Sequence, residues 1–271
     1  MKSLMKATTT TTTTLTRNTT HNTYVKFIGD TTSPFLMTTK FYPLNDERGY
    51  IELINAYGSD LEVVNDARVS YDRASTEIEE RDIKLIKFLI KHRHTSPLRG
   101  SSLKFQVKCP LYIARQWWKH HVASSYSEGM DGWNEKSLRY TRIEVDDYYV
   151  PSELPLQDEQ NKQGSMPNEL ISGILRERLL NEYKRNAERS IDTYNRLLEA
   201  GVSREVARGI LPACVYTEFR WTVSLHAFLN FLSLRQGEGA QSEIQKYANH
   251  AALLAYKHFP HTMQAYNKHS L

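Results

Sequence analysis

The chain has 271 residues, 40% hydrophobic and 24% charged, with a formal charge of +4 and a pI of about 8.9. That is enough chain for one large core or two small ones, and too little positive surplus to argue for DNA binding, although it suits a small anionic ligand. Two cysteines, Cys109 and Cys214, exclude a disulfide framework and a zinc-finger set, and no apolar run approaches the roughly 20 residues a bilayer span requires.

Residues 1–22, with their run of threonines, present no periodic apolar face and are expected to form a tail outside the fold. The tail is basic and hydroxyl-rich, with Asp30 the first acidic residue. It reads either as a low-complexity extension or as a transit peptide. The folded part is expected to begin near Tyr50. The spacing of Ile83, Ile86 and Leu89 or Ile90 predicts a helix over 77–91, with Thr76 and Glu79 as a capping box. Pro97 disfavours helix at Ser96, so a loop follows. Leu103, Phe105 and Val107 alternate with Lys104, Gln106 and Lys108, the period of a half-buried strand. Pro110 suits the first turn of a helix running to about His121, on which Gln116, Lys119 and His120 share a face. Residues 125–133, with Gly129 and Gly132, read as a loop, and 153–167 as a polar connector. A long helix is expected over 170–200, with a break at Gly173 and Gly201 as its stop. Ser203 is expected to cap a short helix limited by Pro212, and two further helices are expected over 223–234 and 240–257. The pattern predicts an α+β fold: a small, mostly antiparallel sheet flanked by long helices, with a helical second half.

Several groups on this scaffold could carry chemistry. Lys119-His120-His121 reads as a metal site, a phosphate site or a cationic helix end offsetting the dipole. His92, His94 and Cys109 lack the paired spacing of zinc ligands, which argues against a metal. In Asn134-Glu135-Lys136-Ser137-Leu138-Arg139-Tyr140, Ser137 and Arg139 can offer a hydroxyl and a guanidinium fork to one phosphate. Ser137 has no Gly-x-Ser-x-Gly surroundings, so it reads as a binding group and not as a nucleophile. Arg235 ends the apolar stretch Asn230-Phe-Leu-Ser-Leu-Arg and must find a polar or anionic partner. Arg208 lies in Arg204-Glu-Val-Ala-Arg208. The two cysteines read as buried, inert thiols.

The order of these motifs resembles the flavin-dependent thymidylate synthases. The family's Arg-His-Arg, Ser, Asn-Glu, Ser, Arg-Tyr signature stands here as Lys119-His120-His121, Ser124, Asn134-Glu135, Ser137 and Arg139-Tyr140. Around it lie Ala67-Arg-Val-Ser70, Lys91-His-Arg-His-Thr-Ser-Pro97, Ala114-Arg-Gln-Trp117, Arg204-Glu-Val-Ala-Arg208, Leu211-Pro212, Tyr216-Thr217 and Asn230-Phe-Leu-Ser-Leu-Arg235, in the family's order. The resemblance spans about 50–260. The chain departs from it at Lys119 and His121, which replace arginines, and at Arg99 and Ser224, where relatives carry Glu and Asn. The residues between Ser124 and Asn134 lengthen the family's spacing.

The resemblance implies methylation of dUMP to dTMP, with carbon from methylenetetrahydrofolate and reducing equivalents from NADPH through FAD, and without a cysteine nucleophile. It implies that Arg235 is catalytic, stabilising charge on the pyrimidine ring. Carried over position by position, it places Gln116, Trp117, Trp118, Lys119, Glu135, Lys136, Ser137, Leu138, Arg139, Arg208 and Arg235 at dUMP. Likewise it places Ser70, His94, Ser96, Lys119, His120, His121, Glu135, Ser224, His226 and Asn230 at FAD. A homotetramer with sites shared between subunits is expected, acting without metal, membrane or nucleic acid. Residues 1–40 are expected to be the tail and 41–271 the catalytic domain, in the cytoplasm, or in mitochondria if the tail is a transit peptide. Two alternatives remain: a flavin-binding homologue that has lost activity, and a single-strand nucleic-acid binder using the cations and aromatics around Arg115–Arg142.

Overall fold

The structure, a computed structural model, describes residues 39–118, 120 and 132–269. The expectations for the threonine-rich tail, Lys119, His121, Ser124 and the segment up to Asp131 lie outside the described residues.

A five-stranded antiparallel sheet organises the chain, in the order β1-β2-β3-β7-β4. These strands are β1 (Lys40–Phe41), β2 (Tyr50–Tyr57), β3 (Ser102–Pro110), β4 (Trp133–Glu135) and β7 (Tyr216–Ser224). The alternation of apolar and polar residues in β3 is realised: Leu103, Phe105, Val107 and Cys109 are fully buried. Opposite them on β7 the register sets Val223 against Leu103, Trp221 against Phe105 and Phe219 against Val107. One face of the sheet is therefore a continuous apolar wall, while Lys104, Gln106 and Lys108 pair with Thr222, Arg220 and Glu218 on the other. Each such large side chain contributes about 1.5–3 kcal/mol by leaving water.

The apolar wall is covered by α6 (Leu225–Arg235) and α7 (Ser242–Tyr256). Helix α6 buries Leu225, Ala227, Phe228, Leu229, Phe231 and Leu232, so it is apolar on more than one side and sits inside the core. Around this centre stand α1 (Asp60–Arg68), α2 (Glu80–Lys91), α3 (Leu111–Trp117), the long α4 (Gly173–Glu199), the short α5 (Arg204–Ala207) and α8 (Pro260–His269). A separate hairpin pairs β5 (Pro155–Gln157) with β6 (Ser165–Leu170). The α+β architecture expected from the sequence is present.

Several boundaries differ from expectation. Helix α2 starts at Glu80, and its capping box uses Glu79 and Asp82 in place of Thr76 and Glu79. The α3 helix stops at Trp117 instead of reaching His121. The polar connector contributes the β5–β6 hairpin. Gly173 begins α4 instead of breaking it, while Gly201, with φ of +84°, ends this 27-residue helix as expected. Residues Val223 and Ser224 belong to β7, and the helix starts at Leu225 because Ser224 is its cap, accepting from Ala227 N at 3.2 Å. At the edge of the sheet, a Cβ on Gly132 would lie 2.2 Å from the Thr222 carbonyl oxygen, so the backbone approach that seats β4 beside β7 admits only glycine.

Candidate functional site

The end of α3, strand β4 and the end of α6 meet beside the aromatic part of the core. Trp117 is fully buried, stacked on Phe231 at 4.8 Å and edge-on to Phe219, Trp221 and Tyr247. Its side chain is therefore core packing, and a role at dUMP, as the resemblance implied, is left to its backbone and neighbours. Trp118 leaves the helix half-buried and lies edge-on to Trp133 at 6.2 Å. Trp133 in turn stacks on Phe219 at 3.7 Å. Glu135 hangs from the same edge strand. Its carboxylate accepts from the Trp133 indole at 3.1 Å and from the Thr217 hydroxyl.

Arg235, the last residue of α6, reaches into this group. Its Nε donates to His120 Nε2 at 3.0 Å and its Nη2 to the Gln116 carbonyl at 3.2 Å. Partial burial lowers the guanidinium's pKa, but an arginine so shifted remains charged at neutral pH. His120 is 7% exposed, with its ring edge-on to Phe231 at 5.1 Å. The Gln116 side chain donates to Gln241 at 2.7 Å.

A second group lies where the chain leaves β4. Arg139 N donates to Ser137 Oγ at 3.2 Å, and the exposed Arg139 guanidinium faces Glu205 on α5 at 3.5 Å. Arg204 donates to the Tyr140 carbonyl at 2.9 Å. Leu138 packs on the small core formed by Ile143, Ile191, Tyr194, Ala207 and Val215, and so acts as an anchor for this turn. Lys136 is exposed, held through its backbone N–H to Glu218 O at 2.8 Å. Arg208 is exposed in the 3-10 turn Arg208–Ile210, one turn beyond Glu205. An exposed ion pair such as Arg139–Glu205 contributes at most about 1 kcal/mol, so Arg139 is easily redirected to a stronger anion.

A third group forms around the end of α2 and the start of α6. His94 is exposed, edge-on to Phe88 at 5.4 Å, and the 3-10 turn Ser96–Leu98 follows. His226 Nδ1 is buried without a hydrogen-bond partner among the described residues. Burial first, and the charge of Arg99 second, lower the His226 pKa. Asn230 lies one turn further along α6, on the same face. Ser224 is 1% exposed and is occupied as the helix cap. Ser70 is exposed in the 3-10 turn Val69–Tyr71.

The chain thus joins Gln116, His120 and Arg235 directly, and links Trp118 through Trp133 to Glu135. It places Ser137, Arg139 and Arg208 in an adjoining surface group, His94 and Ser96 after α2, His226 and Asn230 along the first half of α6, and Ser70 on the 3-10 turn after α1. Lys119 and His121 lie outside the described residues. Thr217, Trp133 and Glu205, which hold Glu135 and Arg139, were not singled out from the sequence, although Thr217 and Glu205 sit inside the motifs quoted above. A mixed-charge cleft of about 380 Å³ between Arg48, Asp146, Tyr148 and Lys184 contains none of these residues. Its cations are already paired, Arg48 with Asp146 and Lys184 with Glu188. Both thiols are buried and desolvation raises their pKa values, which leaves them poor nucleophiles. Among the described residues no group of three or more His, Cys, Asp or Glu could hold a metal, and no helix is long and apolar enough to cross a membrane.

A profile of the thymidylate synthase complementing protein family matches residues 52–261. The chain is 37% identical over 224 residues to the flavin-dependent thymidylate synthase of Thermotoga neapolitana, covering 83% of this chain and 93% of that protein. It is 39% identical to the enzyme of the same name from Kosmotoga olearia, covering 81% of this chain and 90% of that one. Among solved structures, the UMP/dUMP methylase PolB from Streptomyces cacaoi, bound with 5-Br dUMP, superposes with a TM-score of 0.69 at 28% identity, over 80% of this chain and 94% of that chain.

Proposed function

The chain belongs to the flavin-dependent thymidylate synthase family, and from that premise we propose that it methylates dUMP to dTMP, with methylenetetrahydrofolate as carbon donor and FAD reduced by NADPH. The observation that carries this reading is the convergence on Arg235. A charged, partly desolvated guanidinium is held at the end of a core helix by the His120 imidazole and by the carbonyl of Gln116, two residues before the half-buried Trp118. Such a donor, fixed before the substrate arrives, stabilises negative charge developing on a pyrimidine ring, and it does so more strongly where water is excluded.

The other residues divide by chemistry. Ser137, Arg139 and Arg208 would hold the nucleotide's phosphate, with guanidinium forks matched to its oxygens. Gln116, Lys119 and Glu135 would orient the sugar and base. The group at the other end of α6 fits a flavin nucleotide: the buried, unpartnered Nδ1 of His226 needs a polar partner, and Arg99 nearby suits an anionic one. Ser70, His94, Ser96, His226 and Asn230 would hold it. When bound, FAD supplies the hydride chemistry, and the protein supplies orientation and charge. A homotetramer that completes each site with residues of other subunits belongs to the same proposal. So do a cytoplasmic location and a tail, 1–40, separate from the catalytic domain, 41–271.

The test is direct. The purified protein should show flavin absorbance and form dTMP from dUMP, methylenetetrahydrofolate and NADPH. Arg235→Ala should abolish turnover and leave FAD bound. Folded wild-type protein with neither flavin nor turnover would refute the proposal. Bound flavin without turnover would indicate the inactive homologue, and salt-sensitive single-strand binding indifferent to dUMP would indicate the nucleic-acid binder.

A further inference from the structure

We propose that His120 is a positioning residue for Arg235: its imidazole, fixed in the core, accepts from Arg235 Nε and so decides which edge of the guanidinium faces the nucleotide. The inference rests on the proposed function for the identity of that nucleotide, and it differs from the flavin-binding role that the family resemblance implied for His120.

The geometry makes the case in steps. An arginine at a helix end has a long side chain with many rotamers, so its head is not located by the backbone. Here two contacts locate it, Nε to His120 Nε2 at 3.0 Å and Nη2 to the Gln116 carbonyl at 3.2 Å. Both lie on one edge of the planar group. A guanidinium has five N–H donors, and these two bonds use one from Nε and one from Nη2. The remaining three, both on Nη1 and one on Nη2, form the opposite side of the fork and are left for a ligand.

The anchors themselves are rigid. Gln116 offers a backbone carbonyl within α3. His120 is 7% exposed, its N–H donates to Trp117 O at 3.1 Å, and its ring stands edge-on to Phe231 at 86°. Phe231 is on α6 itself, one turn before Arg235, and is fully buried against Trp117. The orienting imidazole and the arginine it orients are thus packed on the same helix turn. The contact also sets a chemical requirement: Nε2 must present a lone pair, so a neutral imidazole serves, whereas a lysine or arginine at position 120 would place a cation against a cation. A histidine between Lys119 and His121 meets this requirement.

The experiment is a double-mutant cycle on the full-length, flavin-loaded protein, with dUMP affinity measured by calorimetry, FAD affinity measured separately, and kcat and KM for dUMP. His120→Ala should weaken dUMP binding or lower kcat about tenfold or more while FAD affinity stays within about twofold, since tenfold corresponds to about 1.4 kcal/mol. His120→Gln, which restores an acceptor oxygen and keeps the site filled should the alanine variant fold poorly, should recover most of the loss. In an Arg235→Ala background, His120→Ala should have no further effect on dUMP. An equal loss in both backgrounds, or a fall in FAD affinity with dUMP affinity intact, would overturn the inference. Wild-type protein that binds dUMP without turnover would refute the proposed function, and the binding cycle would still decide the role of His120.

Discussion

Replacing Asp82 with alanine should unfasten the segment that carries Ser70. Asp82 is fully buried, and Arg68 Nη2 lies 2.5 Å from its Oδ1. Ser75 Oγ donates to the same oxygen at 3.2 Å, and Glu79 N to Oδ2 at 3.0 Å. Ser75 is pinned from the other side by Asn65, which accepts from its N–H at 2.7 Å and donates to its carbonyl at 3.0 Å. The loop between α1 and α2, with its exposed Val69–Tyr71 turn, is therefore tied at one buried serine between two helices. Removing one partner of a buried ion pair costs about 3–5 kcal/mol. Arg68 keeps 16% side-chain exposure, which favours the lower end. Loss of the capping-box contact at Glu79 adds about 1 kcal/mol, for a total of about 4 kcal/mol, a large share of the stability typical of a folded domain. With a urea m-value of about 3 kcal/mol/M, the midpoint should fall by roughly 1.3 M. The double variant Arg68→Met with Asp82→Leu removes the stranded charge and should recover most of that stability. It does not restore the tie to Ser75, so its FAD affinity should remain reduced. A loss below about 1 kcal/mol in Asp82→Ala would refute the reading of this cluster as the fastening. Full FAD affinity in the double variant would separate Ser70 from the cofactor.

Three further outcomes are expected. Asp60, 3% exposed on α1, caps α8 by accepting from His261 N at 2.7 Å and from Thr262 N and Oγ1 at 3.0 and 2.6 Å. Asp60→Ala should cost about 2–4 kcal/mol and raise amide exchange across α8 selectively, whereas Asp60→Asn keeps an acceptor and should cost less. The pKa values of His226 and His250 are lowered, in both cases chiefly by burial. The unfolded chain therefore takes up protons first, and stability should fall as pH drops below about 6.5. Arg99→Gln should raise the His226 pKa, read by NMR titration, and soften that fall. Cys109→Ala and Cys214→Ala should each leave kcat within about twofold where folding is retained, and native protein at neutral pH should react slowly with thiol reagents.

The sequence made some of this legible for identifiable reasons. Strand β3 was readable because its alternation is unbroken. Strand β7 has the same alternation, Phe219, Trp221 and Val223 against Glu218, Arg220 and Thr222, but the apolar run after Val223 extended the helix signal backwards over its end. In β2 the register shift between Leu53 and Asn55 breaks the period and hides the strand. At the site, the motif order was readable, while the contacts within it were not. Arg235 and His120 are 115 positions apart, and nothing local to either residue indicates that one accepts from the other. Trp117 looked like a ligand-facing member of its motif because a signature does not report which of its residues face inward.

Helix α6 explains how the parts of such a site can be specified so unevenly. Its 11 residues span about 16 Å, with His226 near one end and Arg235 at the other, and its middle is buried on several sides. The distance between the two groups is therefore set by core packing, which resists change at the level of single methylene groups. Ser137, Arg139 and Arg208 stand instead on exposed turns with weak or local contacts. A phosphate tolerates such adjustable partners, because charge acts over several ångströms and three oxygens accept from many directions. A ring whose charge must be stabilised at one position does not. The rigid element in this chain thus carries the group assigned to the ring, and the adjustable turns carry those assigned to the phosphate. Substitutions on the turns should accordingly act mainly on nucleotide affinity, and substitutions that shift α6 mainly on turnover.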